Sequence, residues 1–347
     1  MHKRATPRRR RPVDPAESGR RPRRAGAAAA AVTVLALAAS GCVTVHGERE
    51  RVPSATKGEA ARALTAFTTA YNKADQAYDP KLDAGRVAGP LGAINQAGLR
   101  AKHTNHPDGN PDHVDLKLTG ARYTIPRTAG WPKFFVAEAH PDTGRDGDAQ
   151  RDVSWLLAFT RSGPDAEWRA TYLSVLAKAK VPRFRTGKDG LAEAVPADSG
   201  ELAVAPGKLS RAYTGYLADG GDGFAPGPGT SQWREQREKN ASRPGKATQY
   251  LDAPLGDGGY APLALRTEDG GALVFFSSRH YEKQTAARGL DLTVDKDVRA
   301  LMKGEPKQSL TMERIAGQAA LTPRRGADPA AVRLLSRLQG VVSAKGE

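Results

Sequence analysis

Val153-Ser154-Trp155-Leu156-Leu157-Ala158-Phe159-Thr160 is apolar on both faces, which predicts a strand covered from two sides. Arg161-Ser162-Gly163-Pro164-Asp165-Ala166-Glu167 then carries the residues of a turn, and Trp168 to Ala179 returns as the next strand. Upstream, Lys133 to His140 reads as another strand. Before it, Val114, Leu116 and Leu118 alternate with Asp115, Lys117 and Thr119, the pattern of a half-buried one. Ahead of these four strands the period changes. Ala60, Leu64, Phe67, Ala70 and Tyr71 recur at spacings of three and four and share one helical face. Thr56 with Glu59 three residues on has the capping-box spacing, and Pro80 ends the segment. A weaker helix with Val87, Leu91, Ile94 and Leu99 is expected over Leu82 to Lys102, interrupted at Gly89-Pro90.

The second half repeats the order. Lys208 to Leu217 and Ser231 to Asn240 read as helices, separated by a Gly/Pro-rich loop from Gly220 to Gly229. Lys246 to Leu251, Ala261 to Arg266, Ala272 to Lys283 and Gln308 to Leu321 read as strands. Glu268-Asp269-Gly270-Gly271 is the hairpin turn between the middle two. Val332, Leu335 and Leu338 predict a closing helix over Pro329 to Val342. The fold class expected is therefore α+β, as two tandem domains, each a curved antiparallel sheet wrapped on a helix. The N-terminal domain takes 56–185, a polar Gly-bearing linker 186–203, and the C-terminal domain with its terminal helix 204–347. Two helices followed by four strands resembles cystatin-like or nuclear-transport-factor-two-like cones.

Hydrophobic residues make up 39% of the 347-residue chain, too many for wholesale disorder. The formal charge of +15 invites a nucleic-acid reading, but its placement argues against one. Ten basic and two acidic residues among positions 1–24 account for +8, and +7 is left for everything from Cys42 onward. So mild and mixed a charge suits a solvated surface near anionic lipid or wall polymer. No nucleic-acid partner is expected.

The basic start ends at Arg24, and no charged residue lies between Ala25 and Gly41. That run is short and Ala-rich, which suits the core of an export signal over a membrane-spanning helix. It closes on Leu37, Ala39, Ser40, Gly41 and Cys42, the only cysteine in the chain. These residues resemble a lipobox, the recognition site of lipoprotein signal peptidase, with Ala39 where Leu is usual. The resemblance implies cleavage of 1–41 and a diacylglycerol on the Cys42 thiol. It also implies an N-acyl chain of the palmitate kind, and a tether over 42–55. At about 0.8 kcal/mol per buried methylene, two or three chains anchor stably. The location expected is the extracytoplasmic face of the cell membrane, with membrane lipid as the first partner. Arg20-Arg21 and Arg23-Arg24 resemble twin-arginine signals without the consensus that follows them, so the export route stays open between the Sec and twin-arginine pathways.

Catalytic and metal signatures are weighed against simpler readings. His103, His106 and His113 cluster with Asp108 and Asp112, but two prolines and Gly109 mark a helix-to-strand loop, and the spacing fits no zinc pattern. Asp142 to Asp148 hints at a calcium loop and fails at its third and twelfth positions, Gly144 and Val153. There is no G-x-S-x-G elbow, and Ser54 with Lys57 has S-x-x-K spacing without companion motifs. No catalytic residue, metal ligand or cofactor beyond the lipid is expected. His280 closes the apolar strand Leu273 to Phe276, and alternation points it with Val274, Phe276 and Ser278. On a cavity-lining face Ser278 and His280 would be ligand contacts; on a filled one His280 is a structural histidine. Trp131, Trp155, Trp168, Phe134 and Phe135 read as core before sugar platform, with a carbohydrate contact open for an exposed one.

Ala272-Leu273-Val274-Phe275-Phe276-Ser277-Ser278-Arg279-His280-Tyr281-Glu282-Lys283-Gln284-Thr285, followed by Val298-Arg299-Ala300-Leu301-Met302-Lys303-Gly304, resembles a family of uncharacterised actinobacterial, Streptomyces-type lipoproteins. The likeness spans most of the exported chain and implies an address without an activity. The expected function is a non-catalytic binding or accessory module that meets an envelope protein, wall polymer or small ligand. The alternative is an envelope enzyme with a pocket in the C-terminal domain.

Overall fold

The computed structural model describes residues 50–142 and 152–347. After β1 (Val52–Pro53), α1 (Lys57–Ala77) starts on the capping box: the Glu59 N–H donates to Thr56 Oγ1 at 3.1 Å, and the Thr56 N–H to the Glu59 carboxylate at 2.8 Å. Its apolar face buries Ala60, Leu64 and Phe67, and it ends on Tyr78 in the left-handed region at φ 49°. α2 (Gly89–Asn105) begins where the sequence suggested a break. Pro90 falls in the first turn, where its missing N–H costs nothing.

Four strands follow: β2 (Lys117–Thr124), β4 (Lys133–Asp142), β5 (Val153–Arg161) and β6 (Arg169–Ala177). They form an antiparallel sheet in that order. The first starts three residues later than alternation from Val114 implied. Between them β3 (Pro126–Thr128) pairs with β1 and, in parallel, with β7 (Ala192–Glu193). The stretch expected as a linker thus carries a strand. Just past it Ala194 bridges Leu265, and Glu193 and Glu201 both bond the buried Arg266 guanidinium, so this stretch ties the two halves together.

The second half runs α3 (Leu209–Asp219), α4 (Ser231–Ala241), β8 (Ser242–Arg243), β9 (Lys246–Leu255), β10 (Leu263–Arg266), β11 (Ala272–Ala286), α5 (Lys296–Ala300), β12 (Met302–Lys303), β13 (Ser309–Thr322) and β14 (Arg333–Gly346). The sheet order is β12-β14-β13-β11-β9-β8. Strand β11 pairs with β13 over its whole length. On its other edge it pairs with β10 as far as Phe275 and with β9 from Ser277 onward. The break in that edge is plugged by two hydroxyl groups. From α3, Ser210 Oγ donates to the Ser277 carbonyl at 2.5 Å and accepts from the Leu255 N–H at 2.9 Å. From β6, the Tyr172 hydroxyl meets the carbonyls of Tyr260 and Ala261.

The helix expected over Pro329 to Val342 is instead strand β14. Register shifts opposite Glu313/Arg314 and Ala319/Ala320 leave Leu335 and Val342 as extra residues on this strand. Each bulge resets the alternation, so apolar residues arrive at 332, 335 and 338, a spacing that mimics a helix.

The core lies in four layers. α1 packs Leu64 and Phe67 on Phe135, Leu157 and Phe159 of the first sheet, where Phe135 and Phe159 stack at 4.9 Å. The opposite face of that sheet, with Phe134, Val136, Leu156 and Tyr172, meets Leu263, Leu265, Leu273 and Phe275 of the second. The far face of the second sheet carries Val274 and Phe276 against Leu209, Tyr213 and Leu217 of α3. Each such fully buried side chain contributes about 1.5–3 kcal/mol of transfer free energy. α2 lies beside the first sheet on the β13–β14 surface. Pro90 sits over Gly317 and Ile94 over Gly340, where an added Cβ would come 2.7 Å from the Ile94 Cγ2. Among the described residues no helix is long and apolar enough to cross a membrane.

Candidate functional site: a closed polar line under α4

His280 lies directly opposite Asp252 across the β11–β9 pair and two residues from Ser278 on the same face. Its Nδ1 is 2.6 Å from Asp252 Oδ1 and its Nε2 2.8 Å from Ser278 Oγ. From α4, Arg237 grips the Asp252 carboxylate with both terminal nitrogens, at 2.6 and 2.8 Å. Gln318, on β13, reaches Ser278 Oγ at 2.5 Å. Burial holds the His280 imidazole below its ordinary range, and Arg237 and Arg337 add to this against the pull of Asp252. A neutral ring therefore gives Nδ1–H to Asp252 and accepts the Ser278 hydroxyl at Nε2. Ser278 in turn accepts from the Gln318 amide. Turning that amide over would place its NH2 near the carbonyls of Phe276 and Ala316, at 3.0 and 3.2 Å. It would also take the Ser278 proton, forcing a doubly protonated imidazole that burial opposes. Burial also raises the Asp252 carboxyl, but its bonds to His280 and Arg237 outweigh this and keep it below its usual range.

Hydroxyl, imidazole and carboxylate in line are the parts that activate a serine nucleophile. Here the hydroxyl and the imidazole are enclosed, Ser278 0% exposed and His280 2%, and only the Asp252 carboxylate reaches a cleft lining. The sheet face above them is filled by Arg237, which stacks 5.0 Å over Trp233 and 4.9 Å over Tyr250, and by Arg337, 3.8 Å over Trp233. Sequence reasoning paired Ser278 with His280 but missed Asp252 and Arg237. A helix reading Ser231-Gln232-Trp233-Arg234-Glu235-Gln236-Arg237 gives no sign of which arginine turns inward.

The other predicted groups stay apart. His113 bonds Asp75 at 2.9 Å and Asp115 at 3.0 Å, whereas His106 meets Lys296 at 3.3 Å. Among the described residues no group of three or more His, Cys, Asp or Glu side chains is placed to hold a metal ion. Ser54 has a buried hydroxyl without a hydrogen bond, and Lys57 is exposed. Trp168, Phe134 and Phe135 are core. Trp131 is 44% exposed and shares the Arg161 guanidinium with Trp168, at 5.8 and 6.0 Å. Cys42 with Leu37, Ala39, Ser40 and Gly41 lies outside the described residues, as does most of the Asp142 to Asp148 stretch.

A family described as domain of unknown function (DUF8094) matches residues 51–346. The chain belongs to it. An uncharacterised lipoprotein of Streptomyces coelicolor is 57% identical over 332 residues, which is 94% of this chain and 98% of the relative. One of Streptomyces avermitilis is 54% identical over 321 residues, 92% and 95% of the two chains. A second S. coelicolor lipoprotein is 29% identical over 84% of this chain and 86% of its own length. No solved structure matches, so the cone likeness rests on the order of elements alone.

Two clefts flank α4 in this DUF8094 chain. One, of about 890 Å³, opens between the 220–230 loop, the 267–271 turn and the 322–333 connection, with Phe224, Leu321, Pro323 and Pro329 in its lining. The other, of about 580 Å³, is polar and lies between α4 and β9, with Glu235, Glu238, Tyr250 and Asp252 in its lining. Ser231 and Arg234 line both. Ser278 and His280 line neither.

Proposed function

We propose that this DUF8094 lipoprotein is a non-catalytic binding module, held by acyl chains on Cys42 at the extracytoplasmic face of the cell membrane. The lipobox-like ending at Cys42 and the lipoprotein relatives support the address. One observation carries the binding role. Ser278 and His280 are enclosed and hydrogen-bonded to Gln318 and Asp252, and neither lines an open cleft. Crosslinking and pull-down from membranes with the lipidated protein, against a Cys42→Ser control, tests the reading. A specific envelope protein or wall fragment recovered only with the acylated, cleaved form supports it. Recovery of the wild type with a free thiol and intact leader removes the address.

The 2.8 and 2.6 Å spacings of Ser278–His280–Asp252 favour a second reading, an envelope hydrolase that opens by lifting α4. Labelling of Ser278 by a fluorophosphonate, abolished in Ser278→Ala, would establish it in place of the first.

A further inference from the structure

We propose that the two clefts beside α4 form one elongated site for a zwitterionic amphiphile: an apolar chain, then a phosphate ester, then an amine. The inference rests on the binding-module reading and names the class of ligand. The larger cleft suits the chain. Its volume is in the range of small-molecule sites, and its lining draws on Phe224, Leu321 and three prolines. The frame is rigid. The Ala225 N–H donates to the Val332 carbonyl and the Val332 N–H to the Gly223 carbonyl, both at 2.9 Å, and Thr230 Oγ1 donates to the Ala225 carbonyl at 2.7 Å.

Arg234 stands where the clefts meet. Among the described residues its guanidinium has no ion pair and no hydrogen bond, and it rests 5.6 Å over the Tyr216 ring. A free guanidinium fork at the end of an apolar trough suits a phosphate or a carboxylate. Beyond it the polar cleft is acidic. Glu235 and Glu238 have no cationic partner among the described residues, and Arg237 is spent on Asp252. An anion alone would meet these carboxylates at its far end; an ammonium group there would pair with them. The acids of the larger cleft do not reverse this order. Asp269 is turned into its own hairpin, accepting from Thr267 Oγ1 at 2.5 Å and the Gly271 N–H at 3.1 Å, and Asp222 and Arg333, of opposite charge, are both exposed at the rim, Arg333 near Asp269.

The test uses the exported chain with Cys42→Ser, titrated below micelle concentrations and followed by calorimetry. The probes are lysophosphatidylethanolamine, lysophosphatidylglycerol, a neutral monoacylglycerol, and phosphoethanolamine without a chain. The amine-bearing lysolipid should bind at least tenfold more tightly than each of the other three. Arg234→Gln should weaken both phospholipids about tenfold and leave the monoacylglycerol unchanged. Glu235→Gln with Glu238→Gln should bring the two phospholipids together, and Ala331→Trp should block every chain-bearing probe. Circular dichroism confirms that each variant is folded. Equal binding of lysolipid and monoacylglycerol, or affinities indifferent to Arg234→Gln, would overturn the proposal. Tight phosphoethanolamine binding unaffected by Ala331→Trp would overturn the chain's part in it. The binding-module reading fails separately, if a fluorophosphonate labels Ser278 in the wild type and not in Ser278→Ala.

Discussion

The Tyr172 hydroxyl, on β6 of the first sheet, lies 2.9 Å from the Ala261 carbonyl oxygen, in the break where β9 gives way to β10. It also faces the Tyr260 carbonyl at 3.0 Å and accepts from Ser277 Oγ at 3.1 Å. Burial drives its ionisation well above the usual phenol range, so it stays a donor at any physiological pH.

Tyr172→Phe keeps the ring and deletes that bridge, leaving two carbonyls and the Ser277 hydroxyl short of a partner. The expected cost is about 1–3 kcal/mol, read as a shift in the urea midpoint. Hydrogen exchange should quicken first at the amides of residues 258–263. Unchanged protection there would show that the break is held from the α3 side alone.

Asp252→Ala leaves Arg237 charged, buried and without its carboxylate, and removes the acceptor of the His280 Nδ1–H. A loss of about 3–5 kcal/mol is expected by chemical denaturation. A loss under about 1 kcal/mol would mean that Arg237 reaches water and that the network is loose.

His280 and His113 should titrate on opposite sides of 6.5. Burial, with Arg237 and Arg337, sets His280 below 6.5, so on acidification the unfolded chain takes up this proton before the folded one does. Its contribution to stability is complete above 6.5 and is lost as pH falls through the lower, folded value. The bond to Asp75 sets His113 above 6.5, so its contribution is present below 6.5 and is lost as pH rises through the folded value. Imidazole proton shifts measured by NMR against pH check the order. His280 protonating before His113 on acidification would show at least one of the two directions to be wrong.

Asp83 is 0% exposed, and burial pushes its carboxyl up to about 6 although Asn95 and Gln96 both donate to it at 2.5 Å. Holding it ionised at neutral pH is a cost, so its contribution worsens as pH rises from 3.8 to about 6. Asp83→Asn should remove this slope and add about 1–2 kcal/mol at pH 7, after one lost hydrogen bond is allowed for. Thermal melts from pH 4 to 7 decide it, and a variant less stable than wild type at pH 7 would show the charge to be useful.

Most elements were legible because their period was clean. Phe67 and Leu64 fall one helical turn apart. Val153 to Thr160 is apolar on both faces because helix α1 covers one face of its sheet and the second sheet covers the other. Where the period is broken by backbone irregularity, reading fails, as at Leu335, whose bulge turned a strand into an apparent helix. The site was half legible for a related reason. Ser278 and His280 are two residues apart on one strand, so alternation joins them. Asp252 reaches them only through the β9–β11 register, which no spacing along the chain reveals. Arg237 comes from a helix with no apolar stripe to show which side faces in.

The helix α2 rests on the second sheet where side chains are absent. At Gly340 even a methyl group would press on Ile94 and prise the helix from its seat. In a scan of every substitution, the sharpest intolerance on this surface should therefore fall on a residue that contributes no contact of its own. Its role is to be vacant, and selection on it would read as the defence of an empty space.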